Sequence, residues 1–195
     1  MALTVVLIEP QIPPNTGNVA RLCAATEASL HLIEPLGFSL DDDQLQRAGL
    51  DYWSDVDLWV HPSWRDFRDA VSRERCLYFS AHGTQPHIEA PYAANTVLVF
   101  GNETVGLPER IREKHPERIY RIPMRPAVRS LNLATAVGIV LYEAIRRVGV
   151  AFNETRDDLA PEAPLRPQPR PRRRGRGREA HSTHGAGTEL GAGES

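Results

Sequence analysis

The chain has 195 residues, 41% of them hydrophobic, and a formal net charge of −2, enough apolar content for one good core and, by length, one folded domain. No apolar run approaches the roughly 18 residues that a membrane span needs, and the N-terminus MALTVVLIEP lacks the basic segment and cleavage site of a signal peptide, so a cytoplasmic location is expected. Cys23 and Cys76 lack CxxC spacing and sit among apolar neighbours; they read as reduced core residues, and no metal site is expected.

In chain order, residues 3–9 (LTVVLIE) read as a strand covered on both faces, ended by Pro10. Pro13 and Pro14 are expected to stop regular structure, and Asn15 or Thr16 to cap a helix that carries Val19, Leu22, Cys23 and Thr26. Further strands are expected at 29–34 (SLHLIE), 57–61 (DLWVH), 76–81 (CLYFSA), 96–100 (TVLVF) and 118–122, with helices at 41–48, after Ser63, and at 109–115. The segment 82–95 reads as irregular. Ser130 is expected to cap a long apolar helix running to Arg147, whose apolar residues fall on more than one face. Six strands alternating with five helices predict a three-layer α/β fold with a mostly parallel six-stranded sheet.

After Phe152 the composition changes to a Pro-rich stretch and then RRRGRGR, so residues 1–152 are expected to form the domain and 153–195 a disordered Pro/Arg-rich tail. Of the 23 basic and 25 acidic residues, the tail holds 8 and 7, which leaves the domain slightly acidic.

Polar residues concentrate in three segments, 15–21, 101–106 and 124–132, each following a predicted strand, where α/β folds place ligands. No GxGxxG, GxxxxGK[ST] or GxSxG occurs, so dinucleotide, P-loop and nucleophile-elbow chemistries find no support. Glu103 is either a helix-start charge or a functional carboxylate. Arg21 is either a solvated helix residue or a group that reaches an anion. Asn132 is either a local cap or turn residue, or a functional amide that needs a partner if buried.

Taken together, PPNTGNVARLC, LVFGNETVGLP and IPMRPAVRSLNLATAV resemble, in order and spacing, the three motifs of the SpoU-type RNA ribose 2′-O-methyltransferases of the SPOUT superfamily. IEP at 33–35, RAGLDY at 47–52 and RIPM at 121–124 bring the resemblance closest to the branch that methylates the wobble nucleotide of tRNA, cytidine or uridine 34. The resemblance implies an α/β domain with a C-terminal trefoil knot, S-adenosyl-L-methionine as methyl donor, tRNA bound through its anticodon arm, and a homodimer in which each active site is completed by the partner. It further implies cofactor contacts from Phe79, Gly101, Ile122, Met124, Ser130 and Leu131, with the missing Cβ of Gly101 admitting the ligand to the backbone. Arg21, Glu103 and Asn132 match the residues of the catalytic side, and Asn15, Arg121, Arg125 and Arg129 are expected to meet RNA. The last helix is expected to lie in the dimer interface, with Val140 and Ile145 among its contacts.

Overall fold

Thr4–Ile8 forms β1, and all five of its residues are buried, so no alternation with polar residues is needed. β1 pairs in parallel with β2 (Ser29–Ile33) on one side and β6 (Val97–Phe100) on the other. Outside β2 lies β3 (Leu58–His61). Beyond β6 come β4 (Cys76–Phe79), β7 (Ile119–Arg121) and β5 (Gln85–Pro86), giving the order β3-β2-β1-β6-β4-β7-β5 with every neighbouring pair parallel. The computed structural model describes residues 3–40 and 55–149; the helix expected at 41–48, the RAGLDY segment and the tail at 153–195 lie outside them.

The six predicted strands are all present, and β5 is a seventh, inside the segment expected to be irregular. Two residues, one of them proline, carry no periodic signal. Pairing of Gln85 and Pro86 with Tyr120 and Arg121 makes this strand.

Among the described residues four helices cover the sheet: α1 (Pro13–Thr26), α2 (Trp64–Ala70), α3 (Glu109–Lys114) and α4 (Leu133–Val148). The period-2 alternation of strand side chains separates two cores. Val5, Leu7, Leu30, Leu32, Leu77 and Leu98 face α1 and α4, whereas Val6, Ile8, Cys76, Tyr78, Val97 and Val99 pack with Phe67 of α2 and Ile111 of α3. The result is the expected three layers. Both cysteines are free and buried, and burial pushes the Cys23 thiol up to about 12.

Two helix starts differ from expectation. Pro13 and Pro14 do not stop structure; they occupy the first positions of α1, and Ile12 precedes it as the N-cap. Proline lacks only an N–H that has no helical partner there anyway, and its fixed φ suits the first turn. At the other helix the cap is Asn132 rather than Ser130: the Asn132 Oδ1 accepts from the Thr135 N–H at 3.2 Å, and Ser130 remains in the preceding loop. Ser63 caps α2 as expected, its hydroxyl accepting from the Asp66 N–H.

The apolar residues of α4 are mostly absorbed within the chain itself. Val140 and Ile145, expected at a subunit interface, are buried against the sheet and α1, together with Val137, Leu141 and Ala144. Ile139 and Tyr142 are the large apolar side chains that α4 leaves exposed, at 38% and 50%.

Candidate functional site

β1, β6, β4 and β7 are consecutive neighbours in the sheet, so the loops leaving their carboxyl ends converge although they lie far apart in sequence. Between them opens a cavity of about 620 Å³, within the range of small-molecule sites. Ile12 and Asn15 come from the β1 loop, Phe79 to His82 from the end of β4, Phe100 to Gly106 from the end of β6, and Ile122, Met124 and Arg129 to Leu133 from the segment after β7. The in-register pairing of Phe79 with Phe100 brings their rings into a stack, 5.2 Å between centroids and 22° between planes, at the cavity floor.

A line of hydrogen bonds ties three of these loops together. The Glu103 carboxylate accepts from the backbone N–H groups of Gln11 (2.9 Å) and Ile12 (3.3 Å) and from the side-chain amide of Asn15 (2.9 Å). Asn15 Oδ1 in turn accepts from Asn132 Nδ2 at 2.8 Å, and Asn132 closes the line on the first turn of α4. A carboxylate can only accept, so Asn15 must turn its NH2 toward Glu103 and its oxygen toward Asn132, which orients Asn132 in turn. Glu103 is thus a helix-start charge, but for α1, ninety-odd residues away in sequence, rather than for α3, which follows it. Its negative charge sits by the N–H groups at the entry to α1, where the helix dipole favours it. Asn132 takes the local role of a cap on α4, and its side-chain NH2 also meets the buried Asn15.

Gly101 is required by the chain's own turn. A Cβ there would lie 1.9 Å from the carbonyl carbon of Gly106, so the close approach expected of a ligand is made first by the 102–106 turn. Gly106 adopts a positive φ of 69°, its N–H donates to the Asn102 carbonyl, and the Asn102 Oδ1 accepts from the N–H groups of Thr104 (3.1 Å) and Val105 (2.8 Å). The turn therefore holds a fixed shape at the cavity edge.

All six residues matched to cofactor contacts, Phe79, Gly101, Ile122, Met124, Ser130 and Leu131, line this one cavity, as do Asn15, Glu103, Arg129 and Asn132. Three arginines do not. Arg21 is exposed on α1, beyond Asn15 and away from the lining. Arg121 turns back to the carbonyls of Gly83 (3.1 Å) and Thr84, bracing the strand β5 against β7. Arg125 is exposed in the loop, where its carbonyl accepts from the Val128 N–H in a turn. Ser80, Ala81, His82 and Phe100 also line the cavity and were not singled out from sequence; Ser80 and His82 stand alone after an apolar strand, with no spacing that would mark them. Among the described residues no cluster of His, Cys, Asp and Glu could hold a metal ion, and no helix is long and apolar enough to cross a membrane.

Residues 2–142 match the SpoU rRNA Methylase family. The tRNA (cytidine(34)-2′-O)-methyltransferase of Escherichia coli (strain K12) is 46% identical over 156 residues, 80% of this chain and 99% of that protein. A structure solved for insights into the 2-OH methylation of C/U34 on tRNA is 49% identical, with a TM-score of 0.72 over 75% of this chain and 95% of that one. The SpoU methyltransferase AviRb from Streptomyces viridochromogenes, solved in complex with AdoMet, is 27% identical with a TM-score of 0.67, over 75% of this chain and 57% of that one.

Proposed function

The chain belongs to the SpoU rRNA methylase family, and from that premise we propose that it transfers a methyl group from S-adenosyl-L-methionine to the ribose 2′-hydroxyl of the wobble nucleotide, cytidine or uridine 34, of tRNA. What carries this reading is the single cavity in which the six matched cofactor residues and the Glu103–Asn15–Asn132 line meet, in a chain similar over almost the whole length of tRNA (cytidine(34)-2′-O)-methyltransferases.

The cavity's chemistry fits the cofactor. The faces of Phe79 and Phe100, with Ile122 and Leu131, make apolar walls suited to an adenine, and the irregular backbone of 101–106 and 122–132 offers N–H and C=O groups to its edge. When bound, the cofactor supplies a methyl group on a positively charged sulfur. The chain's task is then to position the ribose oxygen in line with it, from which much of the acceleration comes. Asn132 and Asn15, locked by Glu103, form the rigid acceptor side of the cavity. Arg21 is a poor base, because its guanidinium stays charged; its role is to orient the hydroxyl, hold the adjacent phosphate and stabilise developing negative charge.

Arg21 is exposed and outside the lining of its own chain's cavity, which supports a homodimer in which it serves the partner's site. The exposed Ile139 and Tyr142 of α4 mark the surface through which the copies join. The knot implied by the resemblance, a cytoplasmic location, contact with the anticodon arm and a separate tail at 153–195 belong to the same reading. It is tested by single-turnover methylation of a tRNA anticodon arm, with the product located by nucleoside mass spectrometry. Methyl at the 2′-oxygen of nucleotide 34 supports it; methyl on a base or at another nucleotide overturns it.

A further inference from the structure

Two large apolar side chains at the mouth of the cavity stand in solvent. Ile12 is 44% exposed and Val105 69% exposed, and both line the cavity. Neither owes its exposure to a loose chain. The Ile12 N–H is held by Glu103 and the Val105 N–H by the adjacent Asn102, so the carboxylate and the amide that shape the site also fix the backbone from which these side chains project. Exposed apolar groups on a rigid turn beside a site lose solvation free energy that a partner can recover, at about 25 cal/mol per Å² covered.

Resting on the reading above, we propose that Ile12 and Val105 form an apolar shelf on which the pyrimidine base of the acceptor nucleotide lies while its ribose enters the cavity. The continuity of the shelf with the cavity commits the occupant. The 2′-hydroxyl must come to the acceptor side beside Asn15 and Asn132, and the base, attached to the neighbouring ribose carbon, must then lie within a few ångströms of that side; Ile12 is the cavity-lining residue that starts the helix bearing Asn15. The shelf's chemistry agrees with the substrate class. Aliphatic side chains contact the face of a base and leave its hydrogen-bonding edge unread, so cytosine and uracil are received alike, whereas a site built to hydrogen-bond one edge would reject the other strongly. Ile12 and Val105 are therefore positioning residues that touch substrate without taking part in bond making.

The test compares Ile12→Ser, Val105→Ser and the double variant with wild type, using anticodon arms carrying C34 or U34, alongside calorimetric binding of S-adenosyl-L-methionine. Each single change is expected to lower kcat/KM about fivefold to tenfold, the value of part of an aliphatic side chain covered, by the same factor for C34 and U34, with cofactor affinity unchanged. Ile88→Ser, at an exposed site outside the cavity lining, is expected to change nothing. Unaltered kcat/KM in the double variant overturns the shelf, as does a loss confined to cofactor affinity or to one of the two bases. If wild type methylates tRNA elsewhere than nucleotide 34, the functional reading fails and the proposed occupant fails with it; methylation at 34 with an insensitive double variant sinks the shelf alone.

Discussion

Glu103 and Asn15 meet at 2.9 Å across 88 residues of sequence, and through that contact the turn after β6 determines where α1 begins. Glu103 satisfies three N–H donors at once, each bond to a charged acceptor being worth about 1.5–3 kcal/mol. Glu103→Gln keeps the shape but turns an NH2 group toward at least one of those donors. It is expected to destabilise the fold by about 2 kcal/mol and to weaken cofactor binding, because the charged acceptor that holds Asn15 and the entry to α1 together is lost. Urea unfolding and calorimetry check both; unchanged stability would show that the line is not cooperative.

The sheet and its two covering layers were legible in the sequence because fully buried strands such as TVVLI leave continuous apolar runs that no loop would carry. What was not legible depends on contacts between distant segments. Nothing local distinguishes Ser130 from Asn132 as a cap; Asn132 is favoured by geometry that also gives its amide a partner in Asn15. The diproline was misread because proline breaks a helix in its interior and suits its first turn, and the position of the first turn is set by Glu103. At the site, the motifs delivered residues that line the cavity, while position alone could not tell that Arg21 lies outside the lining and that Arg121 turns back to Gly83.

Association is testable at α4. Val140 and Ile145 are core residues, so charges there would unfold the chain. Ile139→Glu combined with Tyr142→Glu instead alters exposed positions, and is expected to yield folded monomers by sedimentation, with native circular dichroism. A wild-type monomer at micromolar concentration would remove the proposed dimer.

His31 gives the fold a pH dependence on its acidic side. Its Nδ1 lies 2.9 Å from His61 Nε2, and its ring contacts Trp59 and Phe67. Burial, then the His61 charge, lower the His31 pKa to about 4, with Asp57 opposing. The unfolded chain takes up the proton near the ordinary value of about 6.5. Between those values the unfolded state binds a proton that the folded state excludes, so stability falls as pH drops below about 6.5 and the loss is complete below about 4. His31→Phe is expected to flatten that slope in urea titrations between pH 7 and 4.5. An unchanged slope would assign the dependence to other groups.

The stretch 166–178 carries seven arginines and no acid, against a slightly acidic domain. Deleting residues 153–195 is expected to weaken tRNA binding and to flatten its dependence on salt, since each phosphate contact adds to the slope, with cofactor affinity intact. Equal slopes with and without these residues would show that they make no phosphate contacts.

Arg21 and Asn132 separate chemistry from architecture. Arg21 is exposed and outside the lining of its own cavity, so Arg21→Ala is expected to leave stability and cofactor affinity near wild type while methyl transfer falls by about 100-fold or more. Arg21→Lys is not expected to restore it, because an ammonium cannot reproduce the planar fork. Asn132→Ala removes a cap and the partner of Asn15 together, so stability and cofactor affinity are expected to fall with activity, the cap alone being worth about 1 kcal/mol. If Arg21 serves the partner's cavity, mixed dimers of Arg21→Ala and Asn132→Ala chains contain one site with both residues intact. Co-expression with different tags and purification of the heterodimer is then expected to recover a substantial part of wild-type turnover, whereas either homodimer stays inactive. A heterodimer as inactive as its parents would place Arg21 in the service of its own chain.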